Sequence, residues 1–367
     1  MLGAAFGVSG HGEGQGSMRL GTFHLIGAPH MQPPEQRMAE TLEQIAVADA
    51  HGFHTAWIAE HHFSNYGYSV NPLLLIANAA ARAPRIRFGQ AVIVTPFWHP
   101  LRLAEDIALT DILTGGRLEV GVGRGYQRLE FDALGLRIED SRDTFNEQLD
   151  LMVKAWTEDD FTHEGAHFLV STPVTLLPKP LQRPYPQLWV ACQSDASVDW
   201  AAAHGAFPLF SGSPSARPQI EQWCARFRER WARSAHAAKP FRIAIQRHVF
   251  VATSESEARD AVWQTRWQRR VADHLGKNDQ RITAGRNDPW VPEQESSDDE
   301  WWDRLAYGTA ERCLEQIRRD RDSGATDFIC WFDIGGLDQA TVLGSMRRFI
   351  DGVMPAVSEL SAAGTPA

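Results

Sequence analysis

Short apolar runs alternate with amphipathic stretches of roughly 12 to 20 residues from Met18 onward, a rhythm typical of repeated βα units. In such units a buried parallel strand is followed by a helix with one apolar face. We predict eight strands, over residues 19–26, 55–60, 87–93, 118–123, 188–191, 207–210, 243–251 and 327–331. We predict helices over residues 34–50, 101–113, 141–156, 196–203, 219–235, 255–275, 309–323 and 339–360.

Eight strands with intervening helices close into a barrel more readily than they spread as an open sheet, because closure removes the exposed strand edges. The predicted fold class is therefore α/β, a (β/α)8 TIM barrel with long insertions at its C-terminal rim. Residues 158–186 are rich in proline and are predicted to contain a hairpin. Residues 276–302 carry the acidic run EQESSDDE and three tryptophans. We interpret them as a lid loop over an active site, and a solvated acidic loop without a role is the alternative.

The two ends of the chain differ in composition from the rest. Six glycines fall among the first seventeen residues, which predicts a flexible leader over 1–17, one barrel domain over 18–360 and a flexible tail over 361–367. A cloning tail explains 1–17 equally well. The start lacks the basic segment and long apolar core of a secretion signal, and no apolar run approaches about 18 residues. We therefore expect a soluble protein without membrane contact.

Composition and charge exclude several classes of protein. With 43% hydrophobic and 22% charged residues, the chain is predicted to be globular rather than disordered. The net charge of −10 repels phosphate backbones, so no nucleic-acid partner is expected. The four cysteines form no CxxC pair, which indicates neither a zinc site nor a dithiol site and fits a reducing cytoplasm.

The run TAWIAEHHF places Glu60, His61 and His62 at the end of the second predicted strand. Barrel enzymes hold their chemistry at this rim. Successive strand side chains point to opposite faces, so the two histidines are poorly placed to bind one metal ion. We expect one of them to face the pocket, and a purely structural histidine is the alternative.

The run TGGRLEVGVGRGYQ ends the fourth predicted strand and resembles a dinucleotide fingerprint only superficially. Tyr126 stands where a third glycine is needed, and no clear helix opens there. Arg124 lies among small residues, where a guanidinium can clamp a phosphate while glycine lets the ligand approach the backbone. A surface salt bridge made by Arg124 is the alternative.

A helix start follows the fifth predicted strand directly, in the run ACQSDASVDWAA. Its unpaired N–H groups and positive dipole end, with the hydroxyls of Ser194 and Ser197, can bind an anion. Ordinary N-capping by Ser194 or Asp195 is the alternative. Asp195 opposes a dianion at this position unless its carboxylate points away.

Several of these runs together resemble the bacterial luciferase-like, flavin-dependent monooxygenases, over nearly the whole chain from Met18 to about Leu360. The similarity rests, in order, on AEHHF, GQAVIVTPFWHPLRLAEDIALTDILTGGRLEVGVGRGY, the DSR at 140–142, ACQSDASVDWAA and FDIGGL. It implies FMN at the C-terminal mouth of the barrel. It also implies that reduced FMN and O2 act through a C4a-peroxyflavin to oxygenate a small organic substrate. No nicotinamide-binding unit is visible, so a separate flavin reductase is expected to supply the reduced flavin.

The resemblance also implies roles for individual residues. His61 matches the family's catalytic histidine, expected to act as acid or base. A non-proline cis peptide is expected between Ala91 and Val92, beneath the flavin ring. The phosphate is expected on Arg124, the backbone of Tyr126, Ser194 and Ser197, with Gln193 beside them. The full set of implied cofactor-binding residues is Ala91, Val92, Gly123, Arg124, Tyr126, Gln193, Ser194 and Ser197.

His62 and Glu105 match a pair that crosses the dimer interface in family members, so a homodimer, or a paralogous heterodimer, is implied. Two positions depart from the luminescent enzymes. Gly123 replaces a cysteine and Gly212 replaces a bulky aromatic residue, so neither light emission nor a long-chain aldehyde substrate is expected. An oxidoreductase that uses the deazaflavin F420 is one alternative, disfavoured by the EHHF run. A non-catalytic flavin-binding protein is another, disfavoured by His61 and the lid.

Overall fold

The computed structural model describes residues 18–213, 215–293 and 295–360. The predicted leader over 1–17 and tail over 361–367 lie outside the described residues, so the division into leader, barrel domain and tail stays a prediction. The strands are β1 (Arg19–His24), β2 (Thr55–Ile58), β3 (Arg87–Gln90), β4 (Ile93–Val94), β5 (Leu118–Gly123), β6 (Phe161–Glu164), β7 (Leu169–Val174), β8 (Leu188–Ala191), β9 (Phe207–Ser211), β10 (Ala244–Val251), β11 (Ile282–Thr283), β12 (Arg286–Asn287), β13 (Ala306–Gly308) and β14 (Asp327–Trp331). The helices are α1 (Pro34–Ala50), α2 (Pro72–Ala80), α3 (Pro100–Leu113), α4 (Arg128–Ala133), α5 (Ser141–Thr157), α6 (Asp195–Ala203), α7 (Arg217–Ala232), α8 (Glu255–Lys277), α9 (Asp298–Arg304), α10 (Ala310–Ser323), α11 (Gln339–Gly352) and α12 (Met354–Ser358).

Eight of these strands form a closed parallel barrel, in the order β1, β2, β3, β5, β8, β9, β10 and β14, with β14 pairing back onto β1. In β1, Gly21 aligns with Thr55 of β2, and Arg19 aligns with Asp327 of β14. The predicted (β/α)8 TIM barrel is confirmed. Its parallel strands bring all their carboxyl ends to one rim, which is where the loops that carry the candidate site begin.

The third predicted strand is interrupted. β3 ends at Gln90, and β4 resumes at Ile93 after a cis peptide between Ala91 and Val92. Gly89 aligns with Glu119 but Ile93 aligns with Val122, so this strand holds one residue more than its partner, as in a bulge. The prediction of one strand over 87–93 was wrong for that reason, because every residue in the run is compatible with a strand.

Helix α2 was absent from the predicted elements. Its run PLLLIANAA is apolar on most sides. It therefore lacks the regular alternation of apolar and polar faces by which the other helices were recognised. Asn71 caps it by accepting a hydrogen bond from the Leu74 N–H at 3.1 Å. The helix predicted over 339–360 is also divided into α11 and α12, and Pro355, which lacks an N–H, lies in the first turn of the second helix.

The core fills the barrel interior and the layer between barrel and helices. Trp57 of β2 and Trp189 of β8 belong to strands that are not neighbours, yet their rings meet edge to face at 5.3 Å. They therefore meet across the inside of the barrel. A Cβ on Gly89 would lie 2.4 Å from the Trp57 ring, so the small residue at this position makes room for the indole.

Two insertions leave the barrel. The hairpin predicted within 158–186 is confirmed as the antiparallel pair β6 and β7. The segment interpreted as a lid contains the hairpin of β11 and β12 followed by α9. Across the described part of the chain, no helix is long and apolar enough to cross a membrane.

Candidate active site

A cavity of about 740 Å³ opens at the carboxyl ends of the barrel strands. Barrel enzymes hold their reactive groups at this face. Every residue that the sequence analysis assigned to catalysis or cofactor binding lines this cavity: His61, Ala91, Val92, Gly123, Arg124, Tyr126, Gln193, Ser194 and Ser197.

His61 follows β2 and is held from the loop and helix that follow β5. Its Nδ1 lies 3.2 Å from Oε1 of Glu130 and 2.9 Å from the side-chain amide nitrogen of Gln127. Glu130 is buried, and the same Oε1 accepts the backbone N–H of His62 at 2.9 Å. Nε2 of His61 has no hydrogen-bond partner among the described residues. One ring nitrogen is therefore fixed by the protein, and the other is available to a ligand.

The loop that carries His61 is anchored to the lid segment. The Tyr66 ring packs edge to face on the His61 ring at a centroid distance of 4.7 Å. The Asn65 side-chain oxygen accepts the backbone N–H and the amide of Asn287 at 2.9 and 3.0 Å, and its amide donates to the Ala28 carbonyl. The β11–β12 hairpin therefore helps to fix the loop around His61.

His62 turns away from the cavity and binds Glu60. Its Nε2 lies 3.1 Å from Oε1 of Glu60, which also accepts the indole N–H of Trp98, while Oε2 accepts the Val94 N–H. Burial alone would lower the pKa of His62, but Glu60 and then Glu130 raise it above the ordinary value. Burial raises the pKa of Glu60, against these hydrogen bonds. The pair ties β2 to the segment after the cis peptide.

The cis peptide of Ala91 and Val92 lies in the lining of the cavity. A Cβ on Gly123 would lie 2.4 Å from Cγ2 of Val92, so this glycine is needed for the close approach of the two strands. A Cβ on Gly212 would lie 2.7 Å from Cγ2 of Ile245. Neither position has room for a larger side chain on the present backbone.

Arg124 and Arg142 form the arginine cluster of the cavity. Burial, and then the like charge of Arg142, lower the pKa of Arg124. Arg124 makes one weak hydrogen bond, to the Ser141 hydroxyl at 3.4 Å. Neither guanidinium has a carboxylate partner among the described residues, so the predicted alternative of a surface salt bridge for Arg124 is not seen there. Two neighbouring cations without a partner favour an anionic ligand.

The N-terminus of α6 faces the cavity beside the arginine cluster. The Ser194 hydroxyl accepts the Ser197 N–H at 3.3 Å, and the Ser197 hydroxyl accepts the N–H groups of Gln193 and Ser194. The N-capping alternative is therefore confirmed for Ser194, with Ser197 completing a capping box, and Asp195 is not the cap. N–H groups in the first turn of a helix have no acceptor within the helix, so the helix end stays suited to an anion.

Asp195 does not oppose an anion at this helix. Its carboxylate points away from the cavity toward α7, where it accepts the Trp223 indole N–H at 3.1 Å and pairs with Arg226 at 3.1 Å. The negative charge is thus neutralised on the far side of the helix terminus.

Several cavity residues were missed by sequence reasoning. Glu130 and Gln127 were missed because Glu130 is separated from His61 by 69 positions and no local pattern links them. Arg142 lies in the DSR run that supported the family resemblance, a signal that could have identified it. Gln246, His248 and Gln268 also line the cavity, from β10 and α8.

The three tryptophans of the lid segment are packed rather than solvated. Trp301 is 1% exposed and lines the cavity. Trp290 stacks on His274 at 3.9 Å, and Trp302 lies between two guanidinium groups. The segment therefore covers part of the cavity wall, and its movement as a lid stays a prediction. Within residues 18–213, 215–293 and 295–360, no cluster of three or more His, Cys, Asp or Glu side chains is arranged to bind a metal ion.

Comparison with known proteins gives matches along most of the chain. The family model of the luciferase-like monooxygenases matches residues 18–327. The uncharacterised protein y4vJ of Sinorhizobium fredii is 29% identical over 345 residues, covering 93% of this chain and 98% of that protein. The oxygenase component of flavin-dependent trigonelline monooxygenase from Acinetobacter baylyi is 28% identical over 354 residues, covering 93% and 96%.

Solved structures share the barrel. Monooxygenase RslO1 from Streptomyces bottropensis superposes with a TM-score of 0.81 at 27% identity, covering 92% of this chain and 99% of that one. Two others show the fold alone. The oxygenating constituent of 3,6-diketocamphane monooxygenase from Pseudomonas putida, solved with FMN, gives 0.75 at 20% identity and covers 95% and 100%. An F420-dependent secondary alcohol dehydrogenase gives 0.72 at 19% and covers 93% and 99%. With a family match over most of its length and the barrel that the family shares, the chain belongs to the luciferase-like monooxygenases, a family of flavin-dependent oxidoreductases.

Proposed function

We propose that this protein is the oxygenase component of a two-component monooxygenase, which uses reduced FMN and O2 to insert one oxygen atom into a small organic substrate. One observation carries the proposal. A single cavity holds two arginines without anionic partners among the described residues and a histidine with one free ring nitrogen. The first feature suits a phosphate, and the second suits proton transfer.

The FMN phosphate is proposed to bind Arg124 and Arg142, together with the α6 terminus at Ser194 and Ser197. A phosphate dianion would relieve the repulsion between the two guanidiniums and gain charge-assisted hydrogen bonds. The orientation of the Asp195 carboxylate away from this point supports the assignment.

The flavin ring is proposed to lie over the cis peptide of Ala91 and Val92, with Gly123 beside it, whereas the backbone of Tyr126, with Gln193 beside it, is proposed to face the phosphate. When bound, reduced FMN supplies two electrons and the ring carbon at which O2 reacts. Gly123 has no side chain that would displace Val92 from its place beside the proposed ring.

His61 is proposed to be the acid or base of the reaction, through Nε2. Nδ1 is held by Glu130, which is itself fixed by the backbone of His62, so Nε2 is the ring nitrogen left to exchange a proton with the cavity. Tyr66 covers one side of the His61 ring, and Trp301 lines the same cavity. Exclusion of water from such a site limits the loss of activated oxygen as hydrogen peroxide.

A separate flavin reductase is the proposed source of reduced FMN. The relative from Acinetobacter is an oxygenase component, and the run around Gly121 lacks a dinucleotide fingerprint. The proposed location is the cytoplasm. It is supported by the four cysteines, all of which are buried and free of disulfides.

A homodimer is the proposed assembly, with α2 and α3 at the interface. Glu105 of α3 lies half-exposed beside Arg102, and large apolar side chains are exposed on the same two helices. They are Leu74, Leu109, Ile112 and Leu113. Clustered apolar exposure of this kind marks an interaction surface.

Oxygen uptake tests the proposed function. Protein is supplied with FMN, a flavin reductase and NADH, and O2 consumption and organic products are measured across a panel of small cyclic compounds. The proposal predicts product formed in step with O2 uptake for at least one class of compound. A parallel assay with reduced F420 and no O2 tests hydride transfer. Turnover with F420 and none with FMN would overturn the proposal, and FMN binding without turnover on any compound would favour a non-catalytic flavoprotein.

A further inference from the structure

One ring nitrogen of His61 lies between two side chains that need opposite partners. Nδ1 is 3.2 Å from Oε1 of Glu130 and 2.9 Å from the amide nitrogen of Gln127. An ionised carboxylate only accepts hydrogen bonds, whereas an amide N–H only donates them. Because a neutral imidazole carries its proton on a single nitrogen, Nδ1 can satisfy Glu130 or Gln127 but not both at once.

Both side chains come from the first turn of α4. Gln127 is the N-cap residue and Glu130 is the third residue of the helix, the two positions that bond to the helix backbone in a capping box. Gln127 makes no such bond, and Glu130 accepts from His62. The Gln127 carbonyl accepts the Glu130 N–H at 3.1 Å, so the turn fixes the spacing of the two groups. Their side chains therefore serve the imidazole rather than the helix end.

Burial decides which end of the Gln127 amide faces the imidazole. Gln127 is 1% exposed, so its amide is shielded from solvent. Its nitrogen has two acceptors, Nδ1 of His61 at 2.9 Å and the Tyr126 hydroxyl at 3.4 Å, whereas its oxygen has no partner among the described residues. A half-turn of the amide would take its N–H groups away from both acceptors. Buried N–H groups without an acceptor are rarer in proteins than unpaired carbonyls, which favours the observed orientation.

Glu130 does not depend on His61 for a partner. Its Oε1 accepts the His62 N–H at 2.9 Å, a shorter contact than the 3.2 Å to Nδ1. A hydrogen bond to a charged acceptor is roughly twice as strong as a neutral one, which favours a proton on Nδ1. The shorter distance to the amide nitrogen favours a bare Nδ1. Since these effects oppose each other, the two neutral forms of His61 are close in free energy.

We propose that Gln127 is a positioning residue that opposes Glu130 at Nδ1 and thereby divides neutral His61 between its two proton positions. This inference rests on the proposed function, since it concerns the proposed acid or base. With the proton on Nδ1, Glu130 accepts it, and the bare Nε2 can take a proton from a ligand and later return it. With the proton on Nε2, Gln127 donates to Nδ1, and Nε2–H donates a hydrogen bond to the ligand. The same ring can therefore meet a ligand atom that carries a proton or one that lacks it.

Solid-state 15N NMR of the full-length protein, labelled in its histidine rings, tests the inference, because protonated and bare ring nitrogens give well separated signals. The His61 signals are identified by their absence from His61→Ala. At about pH 8, above the ordinary pKa of imidazole, the wild type is expected to show both neutral forms, within about tenfold of each other.

Variants at the two contacts are expected to move this ratio in opposite directions. Gln127→Leu leaves Glu130 unopposed, so the form with the proton on Nδ1 should gain about tenfold over the other. Glu130→Gln offers a weaker acceptor than a carboxylate, so the form with the proton on Nε2 should gain instead. Gln36→Leu, at an exposed glutamine of α1, is the matched control and should keep the wild-type ratio. A residue that only supports the fold would not move the ratio.

An unchanged ratio in Gln127→Leu would overturn the inference, as would a wild type in which His61 shows a single form. If Gln127→Leu loses its thermal transition, Gln127→Met, which keeps the length of the side chain without its amide, replaces it with the same expectation. The spectra are recorded without flavin, so they decide this inference even for a protein that binds no FMN and so fails the proposed function. A protein that forms product with FMN but keeps its ratio in Gln127→Leu retains the proposed function and loses the inference.

Discussion

Two parts of the cavity differ in whether their charged groups have partners within the protein. In the arginine cluster, Arg124 and Arg142 lie side by side and no described carboxylate neutralises them. Around His61, the buried Glu130 lies within hydrogen-bond distance of Nδ1. Glu130 is in turn fixed by the backbone N–H of His62. The first part is incomplete without a ligand, whereas the second is already organised. The proposed function accordingly assigns ligand binding to the arginine cluster and proton transfer to His61.

The largest effect is expected from His61→Ala. Because the variant loses the proposed proton-transfer group, product formation should fall about 10²-fold or more, the usual size of a general acid or base effect. FMN affinity should change little. The measurement is product yield per O2 consumed, and released hydrogen peroxide should rise. His51→Ala, exposed at the end of α1, is the control. An unchanged product yield in His61→Ala would show that His61 is not the proton-transfer group.

The double variant Arg124→Ala, Arg142→Ala should produce the opposite pattern. Losing two charge-assisted contacts is expected to weaken FMN binding about 10- to 100-fold, while riboflavin, which has no phosphate, should bind as before. Fluorescence titration with both flavins measures this. Arg128→Ala is the matched control, since Arg128 pairs with Glu139 outside the cavity lining. An equal loss for FMN and riboflavin would mean that the variant damages the site generally.

Glu130→Gln tests the contact between Glu130 and His61. The amide keeps the shape but loses the charged acceptor for Nδ1–H, so turnover should fall about tenfold with flavin affinity preserved, since misoriented acid–base groups lose part of their effect. Steady-state kinetics with KM and kcat determined separately measures this. Glu139→Gln, an exposed carboxylate, should behave as wild type. A loss confined to flavin affinity would show that Glu130 serves binding.

A buried histidine on β1 provides the smallest effect and a contrast with His61. Burial lowers the pKa of His24 to about 4, although its hydrogen bond with Gln44 raises it, and the nearby charge of Arg37 lowers it further. His24 binds a proton below about pH 6.5 in the unfolded chain but only below about pH 4 in the folded chain. The free energy of unfolding therefore falls as the pH drops through this window.

Between pH 7.5 and 5.5 the wild type should therefore lose about 1 kcal/mol more of its free energy of unfolding than His24→Gln, which cannot titrate. Urea unfolding at both pH values measures this difference. A pH dependence that is identical in the two proteins would contradict the buried neutral state of His24.

The sequence predicted the barrel because its strands are short and apolar and its helices are periodic. It did not predict α2, which is apolar on most sides, or the break after Gln90. Positions such as His61, Arg124 and Ser194 could be placed at the rim because each lies within three residues of the end of a barrel strand. Glu130 lies 69 positions from His61, and no local spacing rule links the two residues.

The capping serines illustrate the same limit. Sequence reasoning could say that Ser194 and Ser197 suit either an anion or a helix cap, but not which hydroxyl accepts which N–H. The direction of the Asp195 carboxylate, toward Arg226, likewise depends on how α6 packs on α7. Tertiary packing decided both points.

The most direct test of the central claim is an equilibrium titration of the purified protein with FMN, riboflavin and F420, each in oxidised and reduced form. The account predicts saturable binding of FMN, about tenfold or more tighter than riboflavin because of the arginine cluster, and weaker binding of F420. FMN that binds no better than riboflavin, or F420 that binds more tightly than FMN, would contradict it.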